Sequence, residues 1–159
     1  RWETDAEKCH INWVILDSDW EAEFCRVVEK HPLVKAYIKN HNLGLEVPYL
    51  YGATPRKYLP DFIVLVDDGK GADDLLHVVV EIKGYRGEDA KDKKATIENY
   101  WIPGVNNSGQ YGRWTFAEFR DPYAMGDDLN KKITQAVNDM IESALNLTSH
   151  PSPKKEEKP

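Results

Sequence analysis

Two consecutive apolar segments joined by a glycine-containing turn constrain this fold more than any other feature. The first predicted strand, Tyr58–Val66, ends in five successive hydrophobic residues, and the second, Leu75–Lys83, is apolar until charge interrupts its far end. Strand side chains alternate between two faces, so a strand without polar alternation is covered on both sides. The polar turn Asp67–Asp74 allows the two strands to form a hairpin. The centre of the fold is therefore expected to be a buried sheet.

The N-terminal third predicts a strand followed by a helix. Residues 9–16 are rich in β-branched and aromatic side chains, which favour a strand. Ser18 and Glu21 have the spacing of a capping box and predict the start of an amphipathic helix. Pro32 either ends that helix or restarts it as a second helical piece over Leu33–Lys39.

The rest of the chain alternates strands and helices. The predicted elements are an edge strand with Pro48 at Glu46–Tyr51, a charged helix with a solvated face at Glu88–Tyr100, an irregular segment at Trp101–Tyr111, a strand at Arg113–Phe119 and a final helix capped by Asp127 or Asp128. The order β-α-β-β-β-α-β-α predicts an α/β fold with a mixed central sheet flanked by helices. A single domain over residues 1–147 and a disordered tail over residues 148–159 are expected.

Charge limits what this chain can bind unaided. The net charge is −6, and the tail Pro151–Pro159 carries three lysines against two glutamates, which leaves the body still more acidic. Phosphate affinity comes mainly from Lys and Arg, so an acidic body argues against strong unaided binding to nucleic acid. The same charge favours divalent cations.

Cysteine usage and hydropathy indicate the compartment. Cys9 and Cys25 form no CxxC pair, and two unpaired thiols are typical of a reducing cytoplasm, although a single disulfide stays open. No apolar run approaches the roughly 20 residues of a membrane helix, and no signal peptide opens the chain. Because the first residue is Arg1 rather than Met, a fragment of a longer protein is expected.

The strongest chemical signal is the charge at the end of the second buried strand. Glu81 and Lys83 share one face there, and burying opposite charges is costly unless they are paired or bound to a metal. A structural ion pair at the sheet rim explains these two residues equally well. However, a hairpin about Gly71 pairs residues whose numbers sum to about 142, so Asp61 falls opposite Glu81. A slip of one residue would remove this opposition.

Two opposed acids change the interpretation of this site. Directly opposed strand residues have Cβ atoms about 4.5–5.5 Å apart, and like charges held so close are tolerated mainly where a cation lies between them. Carboxylate oxygens, waters and a backbone carbonyl suit Mg²⁺. Lys83 could then orient a water molecule or stabilise charge on a phosphate. Metal-assisted phosphodiester hydrolysis follows as the predicted reaction. Lys91, Lys93 and Lys94 of the charged helix that follows could face the scissile phosphate, although a solvated face is the more common role of such a run.

The same residues resemble a known nuclease signature. Pro60-Asp61, followed about twenty residues later by Glu81-Ile82-Lys83, resembles the PD-(D/E)XK pattern. Over residues 15–120 the chain is similar to the C-terminal endonuclease domain of type III restriction enzyme Res subunits. The segments that carry this similarity are Asp17-Ser18-Asp19-Trp20-Glu21, Val34-Lys35-Ala36-Tyr37-Ile38-Lys39-Asn40, Tyr58-Leu59-Pro60-Asp61-Phe62-Ile63-Val64, Glu81-Ile82-Lys83-Gly84, Trp101-Ile102-Pro103-Gly104-Val105-Asn106-Asn107 and Gly112-Arg113-Trp114.

The resemblance implies a restriction-endonuclease-like fold and a Mg²⁺-dependent DNA endonuclease, with Mn²⁺ as a substitute ion. By position, Asp61 and Glu81 match the metal-binding acids, with the Ile82 carbonyl as a further ligand, and Lys83 matches the catalytic lysine. The family usually adds an acid from the first helix. Glu21 is the candidate, Glu23 is its competitor, and the capping box is the structural alternative for Glu21.

The resemblance also implies partners. These are double-stranded DNA, a superfamily 2 helicase or translocase region of the same polypeptide, and a modification (methyltransferase) subunit. No Walker-type phosphate loop occurs in this sequence, so the motor is expected outside it. The alternative function is a non-catalytic module that uses this fold to hold DNA or a protein within a helicase-like protein.

Overall fold

A computed structural model describes residues 1–82 and 89–148. In chain order its elements are β1 (Trp2–Glu3), β2 (Trp13–Val14), α1 (Asp19–Lys30), β3 (Val34–Lys39), β4 (Val47–Tyr51), β5 (Thr54–Tyr58), β6 (Phe62–Val66), β7 (Leu76–Ile82), α2 (Ala90–Thr96), a π-helical turn (Ile97–Trp101), α3 (Ile102–Ser108), β8 (Arg113–Phe119) and α4 (Met125–Thr148). Of the tail predicted over residues 148–159, Thr148 is instead the last residue of α4, and residues 149–159 lie outside the described residues.

The central sheet has four strands in the order β3-β6-β7-β8. β6 pairs antiparallel with β3 and β7, whereas β8 is parallel to β7. The parallel pair needs a crossover, and the helical segment from α2 to α3 supplies it. β4 and β5 form a separate hairpin. The predicted α/β class, a mixed central sheet flanked by helices, is confirmed.

The sheet is buried on both faces, as its apolar strands predict. One face packs against α1 and α4, where the Phe24 ring lies 5.1 Å from that of Phe62 and 5.3 Å from that of Phe119. The other face packs against the β4–β5 hairpin and the π-helical turn, with Val79 and Ile97 at its centre. Two cores therefore hold the sheet, and each buried large side chain contributes about 1.5–3 kcal/mol.

The first helix begins as its capping signal predicts. The Ser18 hydroxyl accepts a hydrogen bond from the Glu21 amide at 3.3 Å, while Glu21 Oε2 accepts one from the Asp17 amide at 2.7 Å. The helix ends at Lys30, before Pro32. The predicted strand over residues 9–16 is wrong except at Trp13–Val14.

Two predictions for segments that contain or follow a proline are corrected, one of a helix and one of irregular structure. The segment Leu33–Lys39 is not a second helical piece: Val34–Lys39 is strand β3, because its β-branched and aromatic residues pair with β6. Trp101–Tyr111 is not irregular throughout, since the helix continues to Ser108 and ends at Gly109, whose φ is +65°. Proline is tolerated there because it lies in the first turn of α3.

The final helix begins earlier than its acidic residues predict. α4 starts at Met125, so Asp127 and Asp128 lie in its first turn instead of capping it. Acidic side chains stabilise a helix both as caps and within its first turn, where they interact with the helix dipole. The sequence pattern therefore placed the start of this helix too late along the chain. None of the helices in the described ranges combines the length and hydrophobicity needed to cross a membrane.

Both cysteines are free thiols in the core between the sheet and the helices α1 and α4. Burial raises the pKa of Cys25 to about 12. The thiolate is the reactive form of cysteine, so this side chain is chemically inert at neutral pH. Cys9 and Cys25, for which the sequence left a disulfide open, are not bonded to each other.

Arg113 joins the start of β8 to the turn between β6 and β7. Its guanidinium donates to both carboxylate oxygens of Asp68, at 2.6 and 2.8 Å, and to Asp74 Oδ1 at 2.8 Å. The Asp68 side chain is fully buried. The Arg113 guanidinium lowers the pKa of Asp68, so the folded state favours the charged carboxylate. This arrangement fixes β8 beside β7.

Replacing Arg113 by Met should destabilise the fold by about 1.5–3 kcal/mol, because Asp68 would lose its charge-assisted partner. A depressed carboxyl pKa contributes stability above its ordinary value of 3.8 and loses it as pH falls through the lower folded value. Denaturant unfolding between pH 3 and 7 checks this. The parent should lose this contribution below about pH 4, and an Arg113→Met protein with the parent's acid dependence would contradict the assignment.

Candidate active site

Asp61 lies where the chain changes from the β4–β5 hairpin to the central sheet. The predicted strand Tyr58–Val66 is broken there: β5 ends at Tyr58 and β6 begins at Phe62, with Pro60 in the gap. Proline has no amide hydrogen for a ladder, which accounts for the break. The Asp61 amide donates to the Val80 carbonyl at 2.9 Å, and Asp61 Oδ2 accepts from the Ile82 amide at 2.7 Å.

The predicted register of the β6–β7 hairpin is confirmed. Phe62 pairs with Val80 and Ile63 with Val79, so paired residue numbers sum to 142. Asp61 lies immediately before Phe62, one position beyond the last residue pair of this ladder. It forms hydrogen bonds with Val80 and Ile82, the residues on either side of Glu81. The structure thus brings Asp61 and Glu81 together at the end of the hairpin.

Glu81 sits among acidic and aromatic neighbours. Tyr58, the last residue of β5, donates its hydroxyl hydrogen to Glu81 Oε2. The parallel register pairs Glu81 with Glu118 of β8. Tyr58, Glu81 and Glu118 line a cavity of about 30 Å³ together with Lys93 and Lys94 of α2. The charged helix therefore does not present a purely solvated face.

Burial and neighbouring charge disfavour ionisation of both acids. Burial raises the pKa of Asp61, and the charge of Glu21 raises it further, against the hydrogen bond from the Ile82 amide. Burial also raises the pKa of Glu81, followed by the charge of Asp61. A cation bound between the two carboxylates would offset their mutual repulsion and lower both pKa values.

The donor set fits a hard divalent cation. Asp61 uses Oδ2 and Glu81 uses Oε2 for hydrogen bonds, and within residues 1–82 and 89–148 their other oxygens accept none. Carboxylate oxygens are the ligands that Mg²⁺ prefers, with waters completing the shell. In those ranges no cluster of three or more His, Cys, Asp and Glu side chains has the geometry of a complete metal site. A cation here would rest on two carboxylates, backbone oxygen and water.

The helix acid Glu21 is held by a lysine. Its Oε2 lies 2.7 Å from Lys39 Nζ, and both side chains are buried. Lys39 also donates to Asp17 Oδ2 at 2.6 Å and to the Ile15 carbonyl at 3.0 Å. The charge of Glu21 nevertheless reaches Asp61, whose pKa it raises. Its competitor Glu23 instead pairs with Arg26 on a more exposed part of α1. Whether either acid acts in the site stays a prediction.

The structure does not test the roles predicted for Lys83 and for the Ile82 carbonyl. Lys83 lies outside the described residues, so its assignment as the catalytic lysine stays a prediction. Ile82 ends β7, and its amide is fixed by Asp61 Oδ2. Its carbonyl as a metal ligand likewise stays a prediction.

Two residues near Glu81, Tyr58 and Glu118, carry no clear signal in the sequence, whereas Lys93 is one of the three helix lysines for which a solvated face or a phosphate contact is predicted. Tyr58 could be assigned to packing from its position beside Pro60, yet its hydroxyl bonds Glu81. Glu118 lies on a short alternating strand whose partner strand is not evident from local pattern. Lys93 belongs to helix α2, in which the four consecutive residues 91–94 are all charged. Only the pairing of β8 with β7 and the packing of α2 bring these side chains together.

The mixed sheet, the flanking helices and the two acids at the hairpin end define a restriction-endonuclease-like fold. The family model described as Endonuclease domain (RE_endonuc) matches residues 7–105, which is more than half of the chain. The chain belongs to this endonuclease-domain family, and it is therefore a nuclease domain by family. No curated protein and no solved structure matches it significantly.

Proposed function

We propose that this domain is a Mg²⁺-dependent endonuclease that hydrolyses phosphodiester bonds of double-stranded DNA. One observation supports the proposal above all: Asp61 and Glu81 meet at the end of a buried hairpin, where both carboxyl pKa values are raised. Two neighbouring, partly buried carboxylates destabilise a protein that binds no cation there, whereas a bound cation compensates their charge. Membership of the endonuclease-domain family supports the same reaction.

Each residue has a distinct proposed role. Asp61 and Glu81 would hold Mg²⁺ or Mn²⁺, with the Ile82 carbonyl as a further ligand. A divalent cation at such a site supplies Lewis acidity toward a phosphoryl oxygen. Lys83 follows Glu81 by two residues and would orient the attacking water or stabilise charge on the phosphate.

The rigid surroundings of the two acids favour this chemistry. Asp61 is tied to β7 through both its amide and its carboxylate, and Tyr58 holds one oxygen of Glu81. Side chains held in this way lose little freedom when a ligand binds, so the geometry is already organised for the reaction. Glu21 would add negative charge from the first helix.

The wider setting is proposed from the sequence resemblance. The domain would be the C-terminal part of a type III restriction-modification Res subunit in the cytoplasm. It would work beside a superfamily 2 translocase in the same polypeptide and a modification methyltransferase subunit. The net charge of −6 is consistent with this arrangement, because an acidic domain benefits from partners that hold the DNA.

A cleavage assay tests the proposed function. Supercoiled plasmid is incubated with the chain in Mg²⁺, and nicked and linear products are quantified. Replacing Lys83 by Ala should lower the rate at least about 100-fold, because general acid–base or charge-stabilising groups contribute on this scale. Circular dichroism should show an intact fold. Undiminished Mg²⁺-dependent cleavage by a folded Lys83→Ala protein would refute the role of this lysine.

Cation titration separates the nuclease from a non-catalytic module on the same fold. A nuclease site should give saturable Mg²⁺ or Mn²⁺ binding that raises the thermal unfolding temperature, because a ligand that binds only the folded state stabilises it. Replacing Asp61 by Asn should remove that effect. A scaffold that only holds DNA or a protein would show no saturable site, and the substitution would leave the titration unchanged.

A further inference from the structure

Two lysines of α2 line the cavity beside Glu81. Lys93 and Lys94 share this cavity of about 30 Å³ with Tyr58, Glu81 and Glu118. A volume of this size has room for a water or a phosphate oxygen but not for a nucleobase. The cavity adjoins a wider groove of about 410 Å³ that shares the Lys94, Phe116 and Glu118 side chains. A DNA strand lying in the groove could therefore direct one phosphate oxygen toward Glu81.

Lys93 is held in place by aromatic rings. Its Nζ lies 5.6 Å from the centre of the Tyr49 ring and 5.9 Å from that of the Tyr58 ring. Both distances are within the range of cation–π attraction. The Lys93 side chain is about one quarter exposed. An ammonium in this position is ordered and still reachable by a ligand.

The only carboxylate that pairs with Lys93 in the described parts of the chain is shared with other donors. Asp89 Oδ2 lies 3.5 Å from Lys93 Nζ, 3.3 Å from Arg56 Nη1 and 2.6 Å from the Tyr49 hydroxyl. Two cations thus share one anion, which leaves this cluster with a net positive charge. This excess positive charge attracts an anion to the Lys93 side of a cavity whose other lining residues include the acids Glu81 and Glu118.

We propose that Lys93 binds a non-bridging oxygen of the DNA phosphate next to Glu81. The inference rests on the proposed function and assigns a substrate-binding residue within it. A single ammonium acts on a phosphate as a point charge without reading the base. Lys93 would therefore contribute affinity and position, and no sequence specificity.

Helix α2 offers a matched control for this lysine. Lys91 lies on the same helix but is exposed and does not line the cavity. The full chain and its Lys93→Gln and Lys91→Gln variants are titrated with a fluorescent 20-base-pair duplex, without divalent ions, at several salt concentrations. Lys93→Gln should weaken binding about tenfold more than Lys91→Gln does, as expected for a charge-assisted hydrogen bond. It should also reduce the salt dependence by about one phosphate contact.

Two further variants guard against a purely structural effect. Lys93→Arg retains the charge and should keep the parent's salt dependence. Asp89→Asn should release positive charge and tighten DNA binding several-fold more than Asp92→Asn, a change at an exposed acid of the same helix. If Lys93 served only to bridge Asp89, Asp89→Asn would loosen the fold without tightening DNA binding.

The outcomes separate this inference from the function on which it rests. If the parent chain cuts DNA while Lys93→Gln and Lys91→Gln bind with equal affinity and equal salt dependence, the role of Lys93 is wrong and the nuclease stands. If no protein in the set binds or cuts duplex DNA, both fail. Selective loss of affinity and of salt dependence in Lys93→Gln supports the proposal.

Discussion

Replacing Glu81 by Gln is expected to abolish Mg²⁺-dependent cleavage, by at least about 1,000-fold, and to stabilise the protein when no divalent ion is present. The activity falls because an amide is a weaker ligand than a carboxylate for a hard cation. The stability rises because Gln removes a charge that is disfavoured by burial and by Asp61, while its oxygen still accepts the Tyr58 hydrogen bond.

The sign of the pH effect follows from the raised pKa of Glu81. The folded state binds this proton more tightly than the unfolded state, so the parent loses stability as pH rises above the ordinary value of 4.5. The advantage of Glu81→Gln should therefore be small near pH 4 and grow toward pH 8. Thermal unfolding in EDTA across this range measures it.

The exposed acid Glu46 supplies the control for Glu81. It pairs with Lys57 on the surface, where an ion pair contributes about 0–1 kcal/mol. Glu46→Gln should change neither cleavage nor the dependence of stability on pH. If Glu81→Gln were as active as Glu46→Gln, Glu81 would not be a metal ligand. If it were less stable than the parent at pH 8, its carboxylate would be stabilising instead.

Replacing Lys39 by Met should destabilise the fold by about 3–5 kcal/mol, the usual cost of leaving one member of a buried ion pair without its partner. Burial alone would lower the pKa of Lys39, but hydrogen bonds to Asp17 and Glu21 raise it above its ordinary value. Without the ammonium, the buried Glu21 would lose its charged partner. Urea unfolding at pH 7 measures the loss.

A double substitution tests the cause of that loss. Lys39→Met combined with Glu21→Gln should recover much of the stability, because neither partner then remains charged in the core. Arg26→Met, which removes the partner of Glu23 on the more exposed part of α1, should cost no more than about 1 kcal/mol. A Lys39→Met protein as stable as Arg26→Met would contradict a structural role for the pair.

Glu21 also provides a test of function against structure. If it belongs to the acidic cluster, Glu21→Gln should reduce cleavage at temperatures where the variant is fully folded. If its role is the capping arrangement and the ion pair with Lys39, activity should follow the folded fraction alone. Measuring both quantities on one preparation separates the two roles.

The features that the sequence determined are those governed by short-range periodicity. Alternation of side chains and the turn about Gly71 predict the two-faced sheet and its register, which places Asp61 beside Glu81. The start of α1 follows from Ser18 and Glu21, because helix capping involves residues within one turn of the chain. Such features depend on chain geometry within a few residues or across one turn.

Other features depended on contacts between distant segments, which local pattern does not encode. The local sequence of Val34–Lys39 is compatible with a helix or a strand. The segment is a strand because it pairs with β6. The partner of Glu21 was decided by the same pairing, because it places Lys39 beneath α1. Likewise, a parallel strand after a long crossover can enter a sheet at several places, so only the folded chain sets Glu118 and Lys93 around Glu81.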